Sequence, residues 1–213
     1  MLSCMDDSAH DKEHVYRVLN NAMVIARGES CVDYDVLIAA CLLHDIARPE
    51  QIRDPSLCHA AVGSEKAYAF LTKNGFSPEF AAKVRNCIRT HRFRKNDQPE
   101  SLEAKILFDA DKLDVAGAIG VARTLVYKGT VSDPLYTRNS DGSISDGTAE
   151  ERSSFFREYK FKLEKIYDRF YTTIGSELAL QRKSAAETFY HSLYEEVSSL
   201  DAEGKAVLNN LLK

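Results

Sequence analysis

The residues of this sequence best able to do chemistry are six histidines and a group of carboxylates set among apolar neighbours. On a helix, residues three and four apart share a face. His14 lines up with Val18, Ala22 and Ile25, His44 with Leu37, Ala40 and Cys41, and His91 with Phe80, Val84, Cys87 and Ile88. His59 stands at the start of a helical pattern, loosely in line with Gly63, Ala67 and Phe70, whereas His191 shares a polar face with Ser184, Glu187 and Thr188. One inward histidine is usually a satisfied core residue. Three of them, on three separate patterns, are more economically read as serving one purpose. The stretch "CLLHDIAR" (Cys41–Arg48) adds Asp45 beside His44, and "FDADKLD" adds Asp109, Asp111 and Asp114 to a segment that must also bury "KILF" and "VAGAIGVA". An aspartate on the inner side of such a helix requires a cation or several donors.

His14, His44, Asp45 and Asp111 make an N2O2 set whose charge of −2 balances one divalent cation. Imidazole with carboxylate suits Mn, Fe, Co, Ni or Zn, with Mg also admissible, better than calcium. Four protein ligands leave coordination positions for water and a substrate oxygen, as a catalytic metal requires. Asp114, three residues beyond Asp111 and pointing the same way, would hold an imidazole or orient water, while Asp109 points away. Arg17, Arg48, Lys112, His59 and His91 are the candidate donors for an anionic substrate, although the arginines could equally snorkel to solvent and Lys112 could pair with a carboxylate.

The elements that must position these groups are helical. Helices are expected from near Ser8 or Asp11 to Arg27, from Asp33 through the His44–Asp45 pair, over 59–73 and from Ser77 to about His91. A further helix should run from Ser101 to about Tyr127, loosened at Gly117 or Gly120, and two more at about 151–172 and 176–198, with a short one at the end. Gly, Pro, Ser and Asp supply the breaks. Residues 129–150 read as one extended loop, either a functional cover or a mobile insertion, in which "DPLY" could bring Tyr136 against a base. The 213 residues, 44% hydrophobic and 28% charged, suit one all-α domain: a core of about 10–128, the loop, and C-terminal helices over 151–213. A net charge of −4 does not favour nucleic acid as the main partner. The acidic beginning lacks a signal-like apolar run, no stretch is long enough for a membrane span, and five cysteines without CxxC spacing suggest a reduced, cytoplasmic protein.

In chain order the pattern is H…HD…D, and it resembles the HD-domain superfamily of metal-dependent phosphohydrolases. "HDKEHVYRVLNNAMVIA", "AACLLHDIA" and "DADKLDVAGAIGVAR" are similar to a bacterial branch of small HD hydrolases, and the likeness extends over roughly residues 10–195. It implies an HD-type helical bundle with additional C-terminal helices. It also implies hydrolysis of a phosphate ester or anhydride, of the nucleotidase or triphosphate pyrophosphohydrolase type, on a small phosphorylated substrate such as a nucleotide. Two positions depart from the pattern: Glu158 stands where relatives often carry a histidine, and Arg48 where some nucleotidases carry a carboxylate.

Other readings share the scaffold. With His59 and His91 as ligands, the order resembles bimetallic HD proteins, di-iron oxygenases or phosphodiesterases, in which Asp45 would bridge two ions. An alarmone hydrolase and a non-catalytic helical ligand-sensing module are the remaining alternatives. The apolar segment "AVLNNLL" is suited to a homodimer contact.

Overall fold

The all-α expectation holds: among the described residues of the computed structural model, 12–92 and 97–212, there is helix and no β-strand. None of these helices is long and apolar enough to cross a membrane. The expected beginning of the first helix, near Ser8 or Asp11, lies outside the described residues, as does Cys4. The chain forms two compact units, one of residues up to Asp114 with Arg169–Leu178, the other of Val115–Asp168 with the chain from Ala179 onward.

The first unit contains α1 (Lys12–Ala26), α2 (Tyr34–Leu43), α3 (Arg48–Arg53), α4 (His59–Lys73), α5 (Pro78–Thr90) and α6 (Leu102–Leu113). Side-chain caps start three of them. Asp33 accepts from Val36 N, Ser77 from Phe80 N and Ser101 from Ala104 N, each satisfying a donor that the first turn leaves without a partner. Helix α1 packs on α2 and α6, and α5 packs on α2, α4 and α6. The shared core includes Val18, Ile25, Leu37, Val84, Ile88 and Leu107. Helix α2 is apolar around most of its circumference, burying Val36, Leu37, Ala40, Cys41 and Leu43 while Tyr34 and Ile38 stay exposed.

One expectation needs correction here. The His44–Asp45 pair does not lie in the interior of a helix. Helix α2 ends at Leu43, His44 is its C-cap and Asp45 lies in the following turns. The physical reason is local: Ile46 N and Arg48 N bond to carbonyls three residues back, and Pro49 enters the first turn of α3 with no N–H of its own.

The second unit contains α7 (Gly117–Thr130), α8 (Phe155–Phe161), a 3₁₀ turn (Leu163–Lys165) and most of α9 (Thr173–Leu211). Its core is aromatic, with Phe155, Phe156, Tyr159 and Tyr190 buried and the Tyr159 and Tyr190 rings stacked at 4.1 Å. The loop between α7 and α8 is tied to it. Lys128 Nζ and Ser153 Oγ both donate to Asp133 Oδ2, Phe155 N bonds Pro134 O, and the Tyr136 ring lies against Phe156 at 5.7 Å. An isolated bridge joins Arg138 and Ile144.

Three helix boundaries also differ from expectation. The long helix over 101–127 is broken after Leu113, and Gly117 at φ +67° restarts it against Arg182, whose Cβ and carbonyl would meet any side chain there. Residues 151–172 do not form one helix: Ser154 caps α8 late, Lys162 leaves helical geometry, and Asp109 takes the backbone N–H groups of Tyr171 and Thr172. The helices expected over 176–198 and at the end are one helix, α9, which runs through Gly204. In it the residues Val207, Leu208 and Leu211 of "AVLNNLL" are exposed.

Candidate metal centre

The first unit brings seven of the candidate side chains together from five helices, mostly at helix ends. His14 comes from the first turn of α1, His59 from the first residue of α4 and Asp111 from the last turn of α6. His44, His91 and Asp114 are the C-caps of α2, α5 and α6. Helix ends carry backbone groups that the helix itself does not bond, and the imidazoles use them. His44 Nδ1 donates to Cys41 O at 2.8 Å and His91 Nδ1 to Ile88 O at 2.6 Å. The other two use side chains: His14 Nδ1 donates to Asp114 Oδ2 at 2.7 Å and His59 Nδ1 to Gln51 Oε1 at 2.5 Å. Every one of these acceptors is an oxygen with no hydrogen to give, so each Nδ1 carries a proton and each Nε2 is the nitrogen turned inward.

The inward nitrogens converge on Asp45. Its Oδ2 lies 3.5 Å from His14 Nε2 and 3.8 Å from His44 Nε2, and its Oδ1 lies 3.2 Å from His59 Nε2 and 3.9 Å from His91 Nε2. Asp111 Oδ1 stands 3.5 Å from His14 Nε2, with its side chain 29% exposed, so this is the wetter side of the cluster. The others are buried; His44 is 0% and Asp45 5% exposed. His14 and His44 face each other Nε2 to Nε2 at 3.2 Å, and His59 and His91 at 3.3 Å.

This donor chemistry fits a cation. Neutral imidazoles that aim lone pairs at each other repel unless a positive charge lies between them. Donors about 3 Å apart are what metal–nitrogen bonds of roughly 2.0–2.1 Å at right angles produce. Two sets of donors meet the spacing a metal needs, His14–His44–Asp45 and Asp45–His59–His91.

The two sets differ electrostatically. Burial alone would keep His14 neutral, but the carboxylates of Asp114, Asp45 and Asp111 outweigh it and raise its pKa to about 9 when no ion is bound, so a proton on Nε2 then takes the place a metal would occupy. Burial alone would raise Asp111, but the neighbouring His14, His44 and His91 outweigh that and bring it to about 2. On the other side, burial depresses His59 to about 3; Asp45 works against this, while His91, Arg92 and Arg48 reinforce it. Burial also lowers His91, with His44 adding to it.

The remaining candidates divide between the cluster and its surroundings. Arg17 grips Asp114 with two bonds, Nε to Oδ1 at 2.7 Å and a terminal nitrogen to Oδ2 at 3.1 Å. Arg48 lies beside the second set, its NH1 2.6 Å from Gln51 Oε1 and 3.2 Å from His59 Nδ1. Lys112 is turned along α6, its ammonium 4.4 Å from the centre of the Phe108 ring. Asp109 faces away, bonded by Tyr171 N, Thr172 N and Thr172 Oγ1. Gly175 makes that approach feasible, because a Cβ there would lie 2.7 Å from Asp109 Oδ2. His191 is exposed. Sequence reasoning missed Gln51, which belongs to no motif. It read the basic run "THRFRK", which includes Arg92, only as a complement to the negative end of a helix.

An all-α scaffold that sinks four histidines around one aspartate is that of a metal-dependent hydrolase. The HD domain family matches residues 12–116, a span that includes every residue of the cluster. A crystal structure of a predicted HD-superfamily hydrolase from an uncultured Thermotogales bacterium is 33% identical, with 90% of this chain and 83% of that one covered and a TM-score of 0.59. YpgQ of Bacillus subtilis is 29% identical over 202 residues, 93% of this chain and 89% of YpgQ. The crystal structure of YpgQ in complex with ADP matches with a TM-score of 0.69 at 27% identity, covering 90% of this chain and 92% of that one. The chain belongs to the HD-domain superfamily.

Proposed function

We propose that the protein hydrolyses a phosphate ester or anhydride of a nucleotide, with one divalent transition metal held by His14, His44, Asp45 and Asp111. The observation that carries this reading is the pair of inward ring nitrogens, His14 Nε2 and His44 Nε2, held 3.2 Å apart beside carboxylates. YpgQ, a relative over nearly the whole chain, has been crystallised with ADP, which supports a nucleotide substrate. Mn, Fe, Co, Ni and Zn suit the donor set, and Mg is admissible. When bound, such an ion polarises a phosphoryl oxygen and lowers the pKa of water.

The chain's own residues do the rest. Asp114 fixes the tautomer and orientation of His14 through Nδ1, and Arg17 in turn fixes Asp114. Both Asp114 oxygens are engaged, so it acts as a positioning residue rather than as the acceptor of a proton from water. The Cys41 and Ile88 carbonyls set the rings of His44 and His91 in the same way. Cys31, Cys41, Cys58 and Cys87 are free thiols, which fits the cytoplasmic location we propose.

The test is a metal-reconstituted screen of nucleoside mono-, di- and triphosphates and cyclic dinucleotides, scored by product. Release of phosphate or diphosphate supports the reading, and no turnover of any of them overturns it. A second reading, two metals bridged by Asp45, is favoured by the approach of His59 Nε2 to Oδ1 at 3.2 Å. Two irons per chain with oxygen consumption would select it.

A further inference from the structure

In the second unit, α9 carries an apolar seam that outruns its own core. Over residues 186–211 the seam advances in alternating steps of four and three, the spacing of a helix packed along another helix. Its first half, Ala186, Tyr190, Leu193 and Val197, meets the aromatic core, and Tyr190 is 2% exposed. Its second half, Leu200, Gly204, Val207 and Leu211, stands in solvent, with Leu200 68% and Leu211 78% exposed. This end of the helix is nevertheless held in place. Arg138 Nη2 donates to Asp201 Oδ1 at 2.6 Å and Lys205 Nζ to Gly142 O at 2.6 Å, so the loop between α7 and α8 grips one edge and presents the stripe. Gly204 is a second anomaly. A glycine inside a helix weakens it, and no neighbouring element lies within 4 Å of the place a Cβ would take, so the packing of the single chain does not require one here.

We propose that this stripe docks a second copy of the chain, the two α9 ends pairing antiparallel about a two-fold axis at Gly204. The seam is self-complementary about that residue. Leu200 faces the partner's Val207 and Val197 faces the partner's Leu211, as a contact of one patch with itself requires. The glycine lets the two backbones approach, and opposed helix dipoles favour the antiparallel sense. Leu200, Val207, Leu208, Leu211 and Leu212 together expose about 500 Å² of mostly apolar surface, at the upper end of what a monomer leaves to water. Paired with itself the stripe covers about 1,000 Å² in all, the size at which specific interfaces begin. The flanks argue against a lipid surface: Asp201 and Glu203 are acidic and Lys205 is paired with Asp201 at 2.7 Å, whereas a membrane-seeking helix carries free Lys and Arg there.

The experiment is sedimentation velocity of the full chain at concentrations from about 1 to 100 µM. The wild type is expected to be a dimer over most of this range. Leu200→Glu combined with Leu211→Glu is expected to weaken association by about a hundredfold or more, because each change is repeated in both copies. Both side chains are exposed in the single chain, so circular dichroism and metal content should be unchanged. Gly204→Arg sets two like charges on the axis and serves if the first variant does not fold. A wild type that is monomeric at the highest concentration overturns the proposal, as does a dimer that a folded variant leaves undiminished. A monomer that sediments with vesicles of phosphatidylcholine and phosphatidylserine also overturns it and gives the stripe to lipid.

Discussion

The two sides of Asp45 are built from the same parts and surrounded by opposite charges. Each offers a pair of buried imidazoles with Nδ1 protonated and Nε2 turned inward. Around His14 and His44 stand Asp111 and Asp114, and the local field favours positive charge strongly enough to hold His14 near 9. Around His59 stand Arg48 and Arg92, and His59 is held down to about 3. Ligand geometry alone would assign a metal to both sides. The neighbours separate them: the acidic side suits a cation, and the guanidinium side suits an anion. Counting histidines therefore says less about such a site than asking which charged side chains surround each of them.

The largest effect should come from the side that gathers carboxylates. His44→Ala or Asp45→Ala is expected to lower turnover by about a thousandfold or more, because metal polarisation is worth several kcal/mol. Elemental analysis should show the ion lost at the same time. Retained turnover with either variant would end the comparison. Asp114→Asn should weaken metal binding by about 10–100-fold, as measured by competition with a chelator, since it removes the charged partner of His14 Nδ1.

His59→Ala is expected to raise KM roughly tenfold for a nucleoside triphosphate, a loss on the order of one charged hydrogen bond, while metal content stays at one ion per chain. A fall from two ions to one would instead give both sides to metals. The smallest functional effect belongs to Thr172→Val. It removes one donor from buried Asp109 and should lower stability by about 1–3 kcal/mol, read as a lower Tm, with metal affinity unchanged.

Much of the scaffold was legible from punctuation. The Asp33, Ser77 and Ser101 caps lie where their sequence contexts place them, because capping depends only on the next three residues. The gathering of His14, His44 and Asp111 was legible too, since helical spacing puts each on an inward side, while Asp45 joins them from the turn that follows α2. Less legible were features set by distant partners. The chain near residue 171 is irregular because Asp109, far away in sequence, claims its N–H groups. Helix α2 stops before His44 because the turn into Pro49 takes over. Gln51 could not be found from spacing, for it meets His59 only once α3 and α4 fold against each other.

The grip of Asp109 on Thr172 has a consequence for how the protein is made. The two residues are 63 positions apart, and the family match ends at residue 116, well before the second of them. On the ribosome the carboxylate must wait several seconds for its donors at ordinary elongation rates. Until then the first unit lacks the segment that covers and bonds this acid. A polypeptide ending at residue 116 would leave Asp109 without these donors, even though it contains every residue of the metal cluster.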